Sequence, residues 1–107
     1  MDMHTYQLAA ARTINKDLAP KSVEAHALHL MAAEVGEIHG IYQKIYQGHE
    51  ADAEELKKEL GDLLWGIAEL CTVMGWGLDD IAAMNIEKLR RRYPNGFEAV
   101  RSKYREE

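Results

Sequence analysis

Apolar residues recur at helical spacing along almost the whole chain and alternate as a strand would almost nowhere. The clearest series is Leu56, Leu60, Leu63, Leu64, Ile67, Cys71 and Met74, a single stripe that predicts a helix from about Ala53 to Met74, closed by "GWGL". Before it, Met31, Val35, Ile38, Tyr42 and Ile45 form the apolar sector of a long helix. That helix is expected to start at Ser22, which can cap it with Glu24 close behind, and to end near Gln47, where Gly48 suits a left-handed cap. A first helix is predicted over about Thr5 to Asp17, broken by "LAPKS". Asp79 is the expected N-cap of a fourth helix that reaches about Arg92. It is stopped by "YPNGF", where Pro94 cannot continue it and Asn95-Gly96 favours a turn. A short fifth helix is predicted from Glu98 to Tyr104. No repeat, low-complexity tract or linker interrupts the pattern, so one all-α domain over residues 1–107 is expected, with one compact core.

Composition narrows the function classes. Thirteen Lys and Arg against 18 Asp and Glu give a net charge of -5, which argues against affinity for nucleic-acid backbones or anionic membranes and leaves cation binding open. The single cysteine, Cys71, sits on the apolar stripe and reads as a small core residue; no internal disulfide is possible, and a reducing, cytoplasmic setting is expected. The opening "MDMHTYQLAA" has no signal-peptide pattern, and no run of about 18 uncharged apolar residues occurs, so neither export by that route nor a membrane span is expected.

Against this background, two carboxylate pairs stand out. Glu34 falls inside the apolar sector of the second helix, where burial of an ionised group is costly unless compensated, and Glu37 lies at the sector's edge, three residues on. The spacing recurs in "ELGD", with Glu59 beside the Leu60/Leu63 stripe and Asp62 a turn along. Two antiparallel helices joined by a short loop would bring these pairs face to face. Four carboxylates in one cleft repel one another, and a divalent cation relieves that repulsion. All-oxygen ligands favour Mg²⁺, with Mn²⁺ as a substitute. A di-iron bundle needs Glu-x-x-His on two helices, and no Glu lies three before any of the five histidines. A lone Glu-x-x-Glu is ordinarily a solvated helix face; its repetition on a second helix, with Glu34 in an apolar sector, is what favours metal binding.

On the fourth helix, Asn85 is expected on the buried side between Ile81, Ala82 and Leu89, with Lys88 one turn further; an inward amide and a cation suit the anionic part of a ligand. "KLRRR" reads as a solvated face. The chain has no Gly-x-Ser-x-Gly motif and no P-loop, and its only serines, Ser22 and Ser102, have no evident base. A metal-activated water is therefore the nucleophile the sequence best supports. Trp65 and Trp76 read as core or interface residues, and His26 and His29 as packing or surface residues without an assigned role.

"EVGEI", then "ELGDLLW" with 21 residues between Glu37 and Glu59, then "NIEKLRRRYPNGF", resembles the MazG-like nucleoside triphosphate pyrophosphohydrolases of the all-α NTP pyrophosphatase superfamily, over about residues 28 to 97. "RTIN" at 12–15 and "QGH" at 47–49 are similar to one subgroup, from which Val35 departs where a small residue is frequent. The resemblance implies a bundle of four to five helices, assembled as a homodimer or as a homotetramer built from two dimers. It implies Mg²⁺-dependent cleavage of a nucleoside triphosphate between the α and β phosphates, giving monophosphate and pyrophosphate. Glu34, Glu37, Glu59 and Asp62 would be the metal ligands, and Lys44, Asn85 and Lys88 the phosphate contacts. Glu37 is the first choice for the base that takes a proton from the attacking water. Other readings are a non-catalytic helical module binding a nucleotide or partner, and a hydrolase of the phosphoribosyl-ATP type. Nothing in the resemblance fixes the base or sugar.

Overall fold

The structure is a computed structural model that describes residues 1–105. Five helices follow in order: α1 (Met3–Ala11), α2 (Pro20–Tyr46), α3 (Ala53–Met74), α4 (Leu78–Arg92) and α5 (Ala99–Lys103). The all-α class and the extent of α3 agree with the sequence pattern. Asp52 caps α3 by accepting the Glu55 N–H at 3.0 Å, and Gly75 ends it in the left-handed region at φ 74°.

Three helix starts and ends differ from expectation, each for a local reason. α1 stops at Ala11, not Asp17, because the Thr13 hydroxyl and N–H both turn back to Ala10 O and Asn15 Oδ1 captures the Asp17 N–H. Such side-chain bonds give the backbone an alternative to the helix. α2 begins at Pro20 rather than at a Ser22 cap, since proline's fixed φ suits the first helical position and its missing N–H costs nothing there. α4 begins at Leu78 with Gly77 as N-cap, so Asp79 lies inside the first turn, where its charge still favours the helix N-terminus.

Gln7 compensates for the missing side-chain cap on α4. Its Oε1 accepts the buried Leu78 N–H at 2.7 Å, while its Nε2 donates to Trp76 O at 2.9 Å and Thr72 Oγ1 at 3.2 Å. One buried amide on α1 thus fixes the α3–α4 turn. Gln7→Leu leaves these groups unpaired and is expected to cost about 1–3 kcal/mol of stability, read by denaturant unfolding; an unchanged midpoint would deny Gln7 this role.

The α2–α3 hairpin is the centre of the molecule. The helices approach closely at Gly66, where a Cβ would lie 2.9 Å from Met31 Cγ and 3.2 Å from Leu30 Cδ2. α1 packs against the far side of α3, and Ala10, Ala68, Cys71 and Leu78 form a small core with Tyr6, Leu64, Trp65 and Ile67 against it. Burial pushes the Cys71 thiol pKa up, in keeping with a packing role.

The buried apolar residues are few and mostly small, and the expected compact core is correspondingly thin. The accessible surface is 8124 Å², whereas a monomeric globular protein of 12.2 kDa exposes about 6,100 Å². The radius of gyration is 17.1 Å, against about 13 Å for a compact domain of this length. Much of the excess is apolar. Leu28, Val35, Tyr42 and Tyr46 on α2, with Leu60 and Met74 on α3, lie exposed. At roughly 100° per residue, each set falls on the same flank of the α2–α3 pair. Asn85 is also exposed rather than inward, because α4 packs mainly at its N-terminal end and leaves Ile81, Met84, Ile86 and Leu89 open. Lys88 is half-buried.

Candidate metal centre

The antiparallel register of α2 and α3 brings both acidic motifs to one level of the hairpin. One carboxylate oxygen each from Glu34, Glu59 and Asp62 lies within 4.8 Å of the others; among the described residues this is the one group of three metal-competent side chains so close together. Glu59 is buried at 9 % exposure, Glu34 half-buried and Asp62 exposed, so the trio opens to solvent on one side. Glu34 Oε2 is buried and accepts no hydrogen bond. An acceptor left in that state costs free energy that a cation would recover.

The trio's electrostatics are those of crowded anions. The Glu59 carboxyl is pushed above its ordinary pKa, first by the hydrogen bond it shares with Glu34, which requires a proton on one of them, then by burial and by the negative charges of Glu34 and Glu37; Glu55 opposes the shift. Tyr6, at the α1 edge, is raised by burial and then by the Asp62 charge.

A raised carboxyl pKa means that the metal-free fold holds the proton more tightly than the unfolded chain. Its stabilising effect is complete below the ordinary glutamate range and is lost as pH rises through the raised value. Thermal unfolding in chelator should therefore show wild type falling behind Glu34→Gln as pH rises through that window; parallel curves would count against the coupling.

The other sequence-derived candidates lie around this trio. Glu37 is exposed, one turn along α2, and outside the trio, although its charge acts on Glu59. Lys44 is exposed on the same edge of α2, within roughly 20° of Glu37. Asn85 and Lys88 stand on α4, which packs mainly against α1 and α3.

A family model described as the MazG nucleotide pyrophosphohydrolase domain matches residues 23–97, from the first buried turns of α2 through the turn after α4. The chain belongs to that family. No match was found among curated proteins or solved structures, so the assignment rests on the family model together with the site. The MazG family is generally metal-dependent, and the Glu34, Glu59 and Asp62 trio, with one buried and unpaired Glu34 oxygen, is the local feature a cation fits.

Within the MazG domain, one polar pair was not legible in the sequence. Glu69, 2 % exposed, receives His26 Nδ1 on both carboxylate oxygens, at 2.9 and 3.0 Å. Trp65 packs edge-on to the His26 ring, and its Nε1–H donates to Thr13 Oγ1 at 2.8 Å. Glu69 gives no signal in the sequence until its partner, 43 residues away, is known.

Proposed function

We propose that the protein hydrolyses a nucleoside or deoxynucleoside triphosphate at the α–β phosphoanhydride, giving a monophosphate and pyrophosphate with Mg²⁺, or Mn²⁺ in its place, as part of nucleotide-pool housekeeping. The observation that carries this reading is the partly buried Glu34, with an unpaired oxygen, held against Glu59 and Asp62 in a MazG domain. Glu34, Glu59 and Asp62 would hold the cation, with Glu37 as a fourth carboxylate at the rim. Bound there, the cation supplies charge neutralisation at the phosphate oxygens and a more acidic water for in-line displacement.

The chain's own groups do the rest. Glu37, not drawn into the trio, keeps a carboxylate oxygen to take the proton of the attacking water. Lys44 lies along the same edge of α2, where a point charge can meet the outgoing phosphates. Asn85 and Lys88, on α4, are assigned to the phosphates as well. Association is supported by the apolar flank of Leu28, Val35, Tyr42 and Leu60 and by roughly 2,000 Å² of surface beyond that of a monomer, which suits a homodimer or a pair of dimers. Among the described residues no helix is long and apolar enough to cross a membrane.

The test is turnover of a panel of canonical and modified triphosphates with Mg²⁺. At least one should be consumed, and a chelator should abolish the activity. No turnover across the panel, or turnover indifferent to chelator, would reject the reading.

A further inference from the structure

The pair of His26 and Glu69 has features that tying two helices together does not require. Burying a carboxylate to bridge helices is rarely more stabilising than apolar packing of the same volume. Here the carboxylate is almost fully covered, whereas 49 % of the His26 side chain is open to solvent. An ionised carboxylate only accepts, so Nδ1 carries the ring proton towards Glu69 and Nε2 is the nitrogen left for another partner. A buried acid fixing the tautomer and orientation of an open imidazole is the arrangement by which histidines are set to meet a ligand. Trp65, itself pinned to Thr13, stands edge-on to the ring at 6.2 Å and 85° and adds an apolar wall.

The position of this pair relative to the acidic trio is specific. His26 lies eight residues before Glu34, about 12 Å along α2, and Glu69 seven residues after Asp62, about 10 Å along α3. In rotation, His26 falls within roughly 20° of Glu37 round α2, and Glu69 within roughly 20° of Asp62 round α3. Both polar groups therefore face the same flank of the hairpin, with Leu30 and Gly66 between them. The apolar flank of Leu28, Val35 and Tyr42 is the opposite one, so association through it leaves His26 open.

We propose that His26 and Trp65 hold the nucleoside end of the triphosphate whose phosphates are anchored at the acidic trio, with Glu69 as the positioning residue. In the neutral ring Nε2 accepts, so its partner is an O–H or N–H donor of the nucleoside, either a sugar hydroxyl or an exocyclic amine. The inference rests on the hydrolase reading, since the phosphate end defines where the nucleoside end must lie.

The test titrates the full chain, in Mg²⁺, with non-hydrolysable α,β-methylene nucleotide analogues and, as a phosphate-only probe, with inorganic tripolyphosphate. The readouts are affinity and the NMR signals of the His26 ring and the Trp65 indole N–H. Nucleotide should move both signals and tripolyphosphate neither. His26→Asn should weaken nucleotide binding about tenfold, the worth of one good hydrogen bond, and leave tripolyphosphate affinity unchanged. Glu69→Gln should act in the same direction. Dideoxy analogues and keto-for-amino bases identify the donor, as the analogue for which His26→Asn no longer matters. Nucleotide binding that leaves both signals still, or a substitution that weakens both ligands equally, overturns this inference and leaves the hydrolase standing. A protein that binds no nucleotide overturns both.

Discussion

Glu34→Gln is expected to lower kcat/KM by more than about a hundredfold, beyond what loss of an outer-shell partner of a metal site costs. The metal-free variant should unfold at the same temperature as wild type or a higher one. Both effects follow from one geometry. Glu34 has a buried oxygen with no hydrogen-bond partner and stands against two other carboxylates, so in the absence of a cation it destabilises the fold by repulsion and by unmet desolvation. The amide removes the charge and can donate to Glu59, which relieves the apo protein and removes a ligand at the same time. Steady-state turnover with Mg²⁺ and thermal unfolding in chelator read the two halves separately. A variant with wild-type turnover would remove Glu34 from the chemistry. One that unfolds much earlier than wild type would show that the glutamate stabilises the apo fold.

The second large effect concerns assembly. Leu28 is 52 % exposed on the apolar flank of α2, six residues before Glu34 in sequence and on the flank opposite the acidic rim. In a two-fold interface each substitution counts twice. Leu28→Asp removes two leucine burials worth about 2 kcal/mol each and is expected to weaken the dimer on the order of a thousandfold. Sedimentation at micromolar concentration should show a dimer or tetramer for wild type and monomer for the variant. The wild-type melting temperature should rise with protein concentration, as it does when folding and association are linked. A wild-type monomer whose melting is independent of concentration would contradict the reading of the exposed flank.

Helix positions were legible because the stripe from Leu56 to Met74 has the period of a buried face, and α3 runs over the expected residues. The ends were less legible. At Ser22, Asp79 and Asp17 the sequence offers cap or helix residues, but Pro20, Gly77 and the side-chain bonds of Thr13 and Asn15 decide the local backbone. The acidic motifs could be read because their spacing places carboxylates on one face, and three of the four meet. Periodicity could not show that Glu37 stays outside the trio, because that depends on rotation at the hairpin's rim. Asn85 was misread for a related reason. The apolar period of α4 marks a face that wants covering, and a single chain does not say whether its own helices or a second copy cover it. Gln7 and Glu69 were invisible because a buried polar residue is recognisable only with its partners, which lie 71 and 43 residues away.

The most direct measurement is the identity of the products. ³¹P NMR of the reaction with the triphosphate that is turned over should show the nucleoside monophosphate and pyrophosphate growing together, with the signals absent in chelator. Nucleoside diphosphate with orthophosphate would place cleavage at the β–γ linkage and contradict the proposed reaction.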